Sequence, residues 1–280
     1  MPELPEVETV RGQLEPLLVG RTVVEAGSHP SAKFLPARET VGYRFGAVGR
    51  RGKFLILPIT GDSRDNIHDY RGPGLELIVH LGMTGRLTVV DRPADEENPY
   101  LRAWWSFDDS TTLEFEDVRR FGRIRVVDAG DYRSIPTLAN AGPEPFDPNF
   151  DGRAFWELLR RSRRPIKTQL LSQRPVAGVG NIYADEALWL AGINPKVRRI
   201  GKERASVLLD AIREVLELGL HNGGTTLRDY RQIDGTRGSN QKQLNVYGRG
   251  SFPCERCSAT LKSDQLDGRT TTWCPHCQRK

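Results

Sequence analysis

Residues 165–191 read PIKTQLLSQRPVAGVGNIYADEALWLA. Pro165 suits the opening of a helix that runs to Ser172, and Asn181 to Ala191 has the apolar density of another. Between them, Gln173-Arg174-Pro175-Val176-Ala177-Gly178-Val179-Gly180 is too long for one tight turn and carries proline and glycine where turns need them. The stretch predicts a helix, two turns and a helix. Working outward, a long helix is expected from Lys202 to Leu220, ended by Asn222-Gly223-Gly224. On the other side Asp151 is placed to cap a helix through Arg160, and Gly142-Pro143-Glu144-Pro145 has the turn chemistry of a linker.

Upstream of that linker the pattern changes. Leu4, Val7, Val10, Leu14, Leu17 and Leu18 recur at helical spacing, so a helix starts almost at the first residue. Short β-like runs follow, separated by turn residues: Thr22 to Ala26, Phe54 to Ile59, Leu75 to His80, Arg86 to Val90, Ala103 to Phe107, Thr111 to Val118 and Arg123 to Asp128. The expected fold class is α+β and two-lobed, an antiparallel β-sandwich followed by a helical domain and a small cysteine-bearing tail. The expected boundaries are 1–130 for the sandwich, 131–150 for the linker, 151–250 for the helical domain and 251–280 for the tail. The polar loop from Gly61 to Gly74 is expected to be mobile.

A chain of 280 residues, 38% hydrophobic and 28% charged, has room for two buried cores. It holds no apolar run of bilayer length, which excludes membrane spanning. Met-Pro-Glu-Leu-Pro-Glu-Val-Glu has no basic segment followed by an apolar one, so a secretory signal is not expected and a reducing cytoplasm is. The net charge of +5 is modest, but the basic residues cluster, at Arg119 to Arg125, at Arg160 to Lys167 and at Lys196 to Arg204. Such clusters line a phosphate-binding groove or form a solvated face; charge alone leaves both open.

All four cysteines fall in the tail, as Cys254-x2-Cys257, sixteen intervening residues, and Cys274-x2-Cys277. Two such knuckles supply four thiolates to one tetrahedral metal, so one structural Zn2+ is expected, with no open coordination position for chemistry. The alternative, two disulfides, does not suit a reducing compartment.

Removal of Met1 from before the small Pro2 would expose a secondary amine. With an α-amino pKa near 8, about a tenth of it is neutral at pH 7, against fewer than about one in a thousand for an ordinary lysine. Condensed with a sugar aldehyde, a secondary amine gives a cationic iminium, an electron sink that promotes β-elimination of a phosphate. Glu3 and Glu6 flank this amine at a helix N-terminus, where carboxylates are favoured in any case, and either has the chemistry to protonate a sugar ring oxygen.

Met-Pro-Glu-Leu-Pro-Glu-Val-Glu-Thr-Val, Asn181-Ile182-Tyr183-Ala184-Asp185-Glu186-Ala187-Leu188 and the cysteine ribbon together resemble the formamidopyrimidine-DNA glycosylase family. Further matching segments are Arg51-Gly52-Lys53-Phe54-Leu55, His80-Leu81-Gly82-Met83, Arg119-Arg120-Phe121-Gly122, Gly223-Gly224-Thr225-Thr226 and Val246-Tyr247-Gly248-Arg249. The resemblance covers essentially the whole chain. It implies a two-lobed, helix–two-turn–helix and zinc-finger enzyme that acts on double-stranded DNA containing oxidised purines or abasic sites; one lesion needs only one active site, so a monomer is expected. It implies Pro2 as Schiff-base nucleophile, Glu3 as general acid or base, Lys53 in proton transfer and phosphate contact, and Arg269 on the zinc hairpin in the second elimination. Met83, Arg119 and Phe121 match the residues that fill the hole left by a flipped base. Lys167 and Asn181 match residues that grip phosphates, assisted by the N–H groups of Val179 and Gly180. His80, Tyr100, Arg163 and Tyr247 complete the expected DNA contacts.

There are departures from the pattern. Gly238-Ser239-Asn240 stands where relatives often carry a Gly-Tyr-Phe-like run over the flipped base, so lesion capping is expected to differ. Tyr100 stands where many have a histidine, and Asp117-Val118 replaces the commoner Asp-Pro. Two rival functions are an endonuclease VIII-like glycosylase for oxidised pyrimidines, disfavoured by Leu4, and a zinc protein that binds DNA structure without catalysis, disfavoured by the set Pro2, Glu3, Lys53 and Arg269. A nucleotide-binding glycine loop is weaker still, because Gly178-Val179-Gly180 lacks a third glycine and follows no strand.

Overall fold

The computed structural model describes residues 2–61 and 74–279. Most of the Gly61 to Gly74 loop, where mobility is expected, lies outside the described residues. The chain forms two compact units, one of residues up to Ala139 together with Gly223–Ser239, the other of Asn140–Asn222 together with Asn240 onward.

The first unit opens with α1 (Leu4–Leu18). Its strands are β1 (Val23–Ser28), β2 (Tyr43–Phe45), β3 (Gly49–Arg51), β4 (Phe54–Gly61), β5 (Leu75–His80), β6 (Gly85–Val90), β7 (Leu101–Phe107), β8 (Thr112–Asp117) and β9 (Arg123–Asp128). They form two antiparallel sheets, one in the order β1-β7-β8-β6, the other β2-β4-β5-β9 with β3 also pairing β4. One core joins both sheets to the helix: Val7, Val10 and Leu14 from α1, Leu55, Leu57, Leu77 and Val79 from one sheet, Leu87, Trp105, Phe107 and Phe115 from the other. Alternation explains the arrangement. Leu55 and Leu57 face this core while Phe54 turns the other way, with Ile78, into a second cluster closed by Ile135 and Leu138. Removing each large apolar side chain from water contributes on the order of 1.5–3 kcal/mol, which is why a half-buried sheet tolerates no register slip.

The sandwich and the strands follow the sequence expectations closely. β2 and β3, three residues each, do not: they are too short to show a period-2 pattern. Nor does the first unit end with its strands. Gly223–Ser239, expected within the helical domain, returns to it and buries Tyr230 and Ile233 in the sandwich core.

A short α2 (Pro136–Ala139) ends the first continuous stretch of that unit. The second unit holds α3 (Gly152–Leu159), α4 (Ile166–Leu171), α5 (Asn181–Leu190) and α6 (Lys202–His221). The Asp151 carboxylate accepts from Ala154 N at 2.7 Å, the expected cap of α3. At the α5–α6 crossing, a Cβ on Gly219 would stand 2.5 Å from the Tyr183 hydroxyl oxygen, so only glycine permits that approach. The unit ends in a hairpin, β10 (Lys262–Leu266) and β11 (Arg269–Trp273), joined by Asp267-Gly268 with both residues at positive φ, the turn that matches strand twist.

Candidate functional site

In the first unit, Pro2 and Glu3 are both buried at the head of α1, Glu3 as its N-cap residue. Glu6 organises the surroundings. One of its oxygens accepts from Glu3 N at 2.8 Å, the other from Thr225 N at 2.6 Å. The Tyr230 hydroxyl donates to Gly223 O at 3.1 Å, and burial beside the Glu6 carboxylate pushes its pKa up. Gln13 holds Gln232 and the Ile233 N–H. The returning segment is thereby fastened to the helix that presents Pro2. Glu6 is thus the acid that builds this scaffold, and Glu3 is the acid next to the amine in the chain.

Lys53 occupies the two-residue turn between β3 and β4, with Gly52 at φ 56°. At this turn tip Lys53 is only 9% exposed. Register then gathers the other groups. Phe54 pairs with His80 and His80 with Arg123, so the start of β4, the end of β5 and the start of β9 share one sheet edge. Lys53, the Leu81–Thr84 loop with Met83, and the Arg119–Gly122 loop with Phe121 all leave from it. The His80 ring tilts over Phe54 with centroids 4.7 Å apart. Burial, helped by the Lys53 and Arg123 charges, lowers its pKa to about 4, so this imidazole is neutral at pH 7.

Met83 is half-buried, whereas Arg119, Phe121 and Tyr100 are exposed. The Arg119 guanidinium lies 4.6 Å from the Phe121 ring centroid, a cation–π contact between the two exposed side chains. Sequence reasoning missed Asp117, whose buried carboxylate bonds to both loops.

The second unit is organised by α5. Its sequence is apolar on all sides, and every residue from Ile182 to Trp189 is buried, so the carboxylates of Asp185 and Glu186 are buried as well. Glu186 accepts from Asn245 N at 2.8 Å, Val246 N at 2.9 Å and Tyr247 N at 2.8 Å, and so shapes the loop that carries Tyr247. Asp185 accepts from Thr272 N at 3.0 Å. The two turns ahead of α5 are braced by Gln173, at φ 64°, which accepts from Gly178 N and donates to Val179 O.

Lys167 corrects an expectation. Its ammonium does not face solvent to grip a phosphate: it is fully buried, 2.7 Å from Asp185 Oδ1, and donates to Thr270 O at 3.0 Å and Thr271 Oγ1 at 2.9 Å. The ammonium thus makes one ion pair and two hydrogen bonds inside the protein, and the lysine ties α4 and α5 to β11. Burial raises Asp185 to about 7 despite the lysine's opposing pull. Asn181 is half-buried and also donates to Thr270 O, at 3.2 Å. Arg269, one residue before that anchor, is exposed at the hairpin tip, and Arg163 is exposed ahead of α4. Asn240 is buried, accepting from Asn222 Nδ2, so it is part of the packed unit.

The sulfurs of Cys254, Cys257, Cys274 and Cys277 lie within 4.8 Å of one another. A tetrahedral zinc with bonds near 2.3 Å needs sulfur separations of about 3.8 Å; the set gives 4.0 Å for Cys254–Cys277 and 3.5 Å for Cys257–Cys274. Four thiolates at this spacing fit one closed structural site. Trp189 Nε1 donates to Cys254 Sγ at 3.3 Å, and the Arg256 guanidinium lies 4.3 Å from the Trp189 ring centroid. The site thus continues into the packing of α5.

Comparison with known proteins agrees with this construction. Residues 1–124 match the formamidopyrimidine-DNA glycosylase N-terminal domain, 141–231 its H2TH domain, and 251–279 the zinc finger found in FPG and IleRS. The formamidopyrimidine-DNA glycosylase of Deinococcus radiodurans is 42% identical over 99% of this chain and 97% of its own length. The crystal structure of the MutM (FPG) protein from Thermus thermophilus superposes with a TM-score of 0.87 at 42% identity, covering 99% of this chain and 98% of that one. Lactococcus lactis Fpg, 34% identical, matches with TM-scores of 0.83 in complex with DNA containing Fapy-dG and 0.84 with DNA containing an abasic site, over 99% of this chain and all of that one. With three family models in order and relatives this similar over their full length, the chain belongs to the formamidopyrimidine-DNA glycosylase family.

Proposed function

We propose that this protein excises oxidised purines, formamidopyrimidines and 8-oxoguanine, from double-stranded DNA and then cleaves the strand at the resulting abasic site. The observation that carries the proposal is the head of α1, where Pro2 and Glu3 are buried together and Glu6 fastens Glu3 to Thr225. With Met1 removed, the Pro2 amine attacks C1′ of the damaged nucleotide as the base leaves with the glycosidic electron pair. Glu3 protonates the sugar ring oxygen, the ring opens, and the cationic iminium forms. Loss of a C2′ proton expels the 3′ phosphate, a second elimination expels the 5′ phosphate, and water releases the amine. Lys53 serves proton transfer and phosphate contact, and Arg269 supports the departing phosphate. Met83, Arg119 and Phe121 occupy the vacated base position, while His80, Tyr100, Arg163, Asn181 and Tyr247 contact the backbone.

Zinc, when bound, supplies rigidity to the hairpin that carries Arg269 and takes no part in the chemistry. We place the protein in the bacterial cytoplasm on DNA, as a monomer; among the described residues no helix is long and apolar enough to cross a membrane. A duplex carrying one Fapy-dG or 8-oxoguanine opposite cytosine tests the activity: free modified base and a nicked strand are expected. Release of oxidised pyrimidines alone, or tight binding with the duplex left intact, would overturn it.

A further inference from the structure

The two loops that carry Met83 and Phe121 are far apart in sequence, yet they are joined through one buried side chain. Asp117, at the end of β8, is 0% exposed. Its Oδ1 accepts from Thr84 Oγ1 at 2.5 Å and its Oδ2 from Gly122 N at 2.7 Å. The Thr84 hydroxyl, having donated to Asp117, accepts in turn from Arg119 N at 3.0 Å. The backbones meet as closely: a Cβ on Gly82 would lie 2.4 Å from Gly122 N and 2.6 Å from the Phe121 carbonyl carbon. Lys33 Nζ holds the outer loop from the far side, donating to Arg120 O at 2.8 Å, where Arg120 adopts φ 55°. The Asp117 backbone extends the tie, with its N–H on Tyr100 O and its carbonyl accepting from Arg102 Nε.

We infer that Asp117 is a positioning residue that locks the Leu81–Thr84 and Arg119–Gly122 loops into one wedge, so that Met83, Arg119 and Phe121 enter the duplex as a unit. The inference rests on reading those three residues as the groups that fill the vacated base position. The carboxylate accepts from the Thr84 hydroxyl and the Gly122 N–H at once; in Asp117→Asn the amide oxygen can serve Gly122 only if the Thr84 hydroxyl turns from donor to acceptor, so a charge-assisted tie between the loops becomes a weaker neutral one. The cost then falls on opening the duplex and leaves the elimination chemistry alone.

The test compares wild type with Asp117→Asn, Thr84→Val, Phe121→Ala and the double variant Asp117→Asn/Phe121→Ala. One substrate is a duplex with 8-oxoguanine beside 2-aminopurine; the other is a single strand with a preformed abasic site, which needs no opening. Asp117→Asn is expected to slow base release from the duplex about tenfold while cleavage of the single strand stays within about twofold, because misplaced groups cost rate only in the step they serve. The 2-aminopurine fluorescence rise on binding should fall with it, and the double variant should be no worse than Phe121→Ala, as for two residues acting together. Thr84→Val, which removes the bond to Asp117 and the one from Arg119 N but leaves Asp117 on Gly122, should give a loss of the same kind and carries the test if Asp117→Asn does not fold. Equal losses on both substrates, or losses that multiply in the double variant, would overturn the inference. Should the wild type release no base, the fluorescence change still reports loop entry, so that outcome refutes the glycosylase proposal separately.

Discussion

Replacing Lys167 by methionine separates two accounts of this residue. The ammonium and the Asp185 carboxylate are 0% and 1% exposed, so the substitution leaves a carboxylate, a carbonyl and a hydroxyl that all lose a donor. Removing one partner of a buried pair costs about 3–5 kcal/mol. Asp185 already stands at about 7 and gives up less charge than an ordinary carboxylate would, which favours the lower end, about 3 kcal/mol and on the order of 10 °C in unfolding temperature. The loss should be local, seen as faster hydrogen exchange across β10 and β11, and Lys167→Met/Asp185→Leu should recover much of it. A lysine on a phosphate would behave otherwise. Its loss would reduce the slope of log affinity for DNA against log salt by about 0.9 and leave stability untouched. Unchanged stability with a reduced slope would refute the buried-tie account.

His80 sets an acid limb. Its folded pKa of about 4 lies below the ordinary 6.5, so the unfolded chain binds more protons between those values. The stability contributed by neutral His80 is full above about pH 6.5 and is lost as pH falls towards 4, so His80→Gln should flatten that limb in equilibrium unfolding between those values, and the His80 resonance should not titrate between pH 5 and 8. Chelation of the metal should release one zinc per chain and expose Trp189, which shares its core with Cys254 and Cys274, giving a red shift in tryptophan emission while the sandwich stays folded. Arg269→Ala should spare base release and shift the cleavage products from phosphate ends towards the aldehyde remnant of a single elimination, read on a sequencing gel.

The legible parts of this protein are those with a period or a spacing. α1, the long strands and the two-turn element all stand where alternation and turn residues put them, and the four cysteines needed only their spacing. Lys167 was set on a phosphate by the resemblance alone, and nothing in its neighbours says that Asp185 lies beneath it. A signal was nevertheless present: a helix apolar on all faces that contains Asp185-Glu186 must bury both acids, and buried acids require donors. Asp117 stood out only as part of Asp117-Val118, with no role attached, because its partners, Thr84 and Gly122, are joined to it only by sheet register. The return of Gly223–Ser239 to the first unit was equally hidden, since Tyr230 and Ile233 are isolated apolar residues in a polar stretch.

The central claim is that the Pro2 amine forms the covalent intermediate. Borohydride reduction during reaction with a duplex bearing 8-oxoguanine opposite cytosine tests it most directly, with mass spectrometry to locate the adduct. The account predicts a stable protein–DNA cross-link on Pro2, lost in Pro2→Gly together with strand cleavage. A cross-link on Lys53 or another lysine, or one that persists in Pro2→Gly, would contradict it.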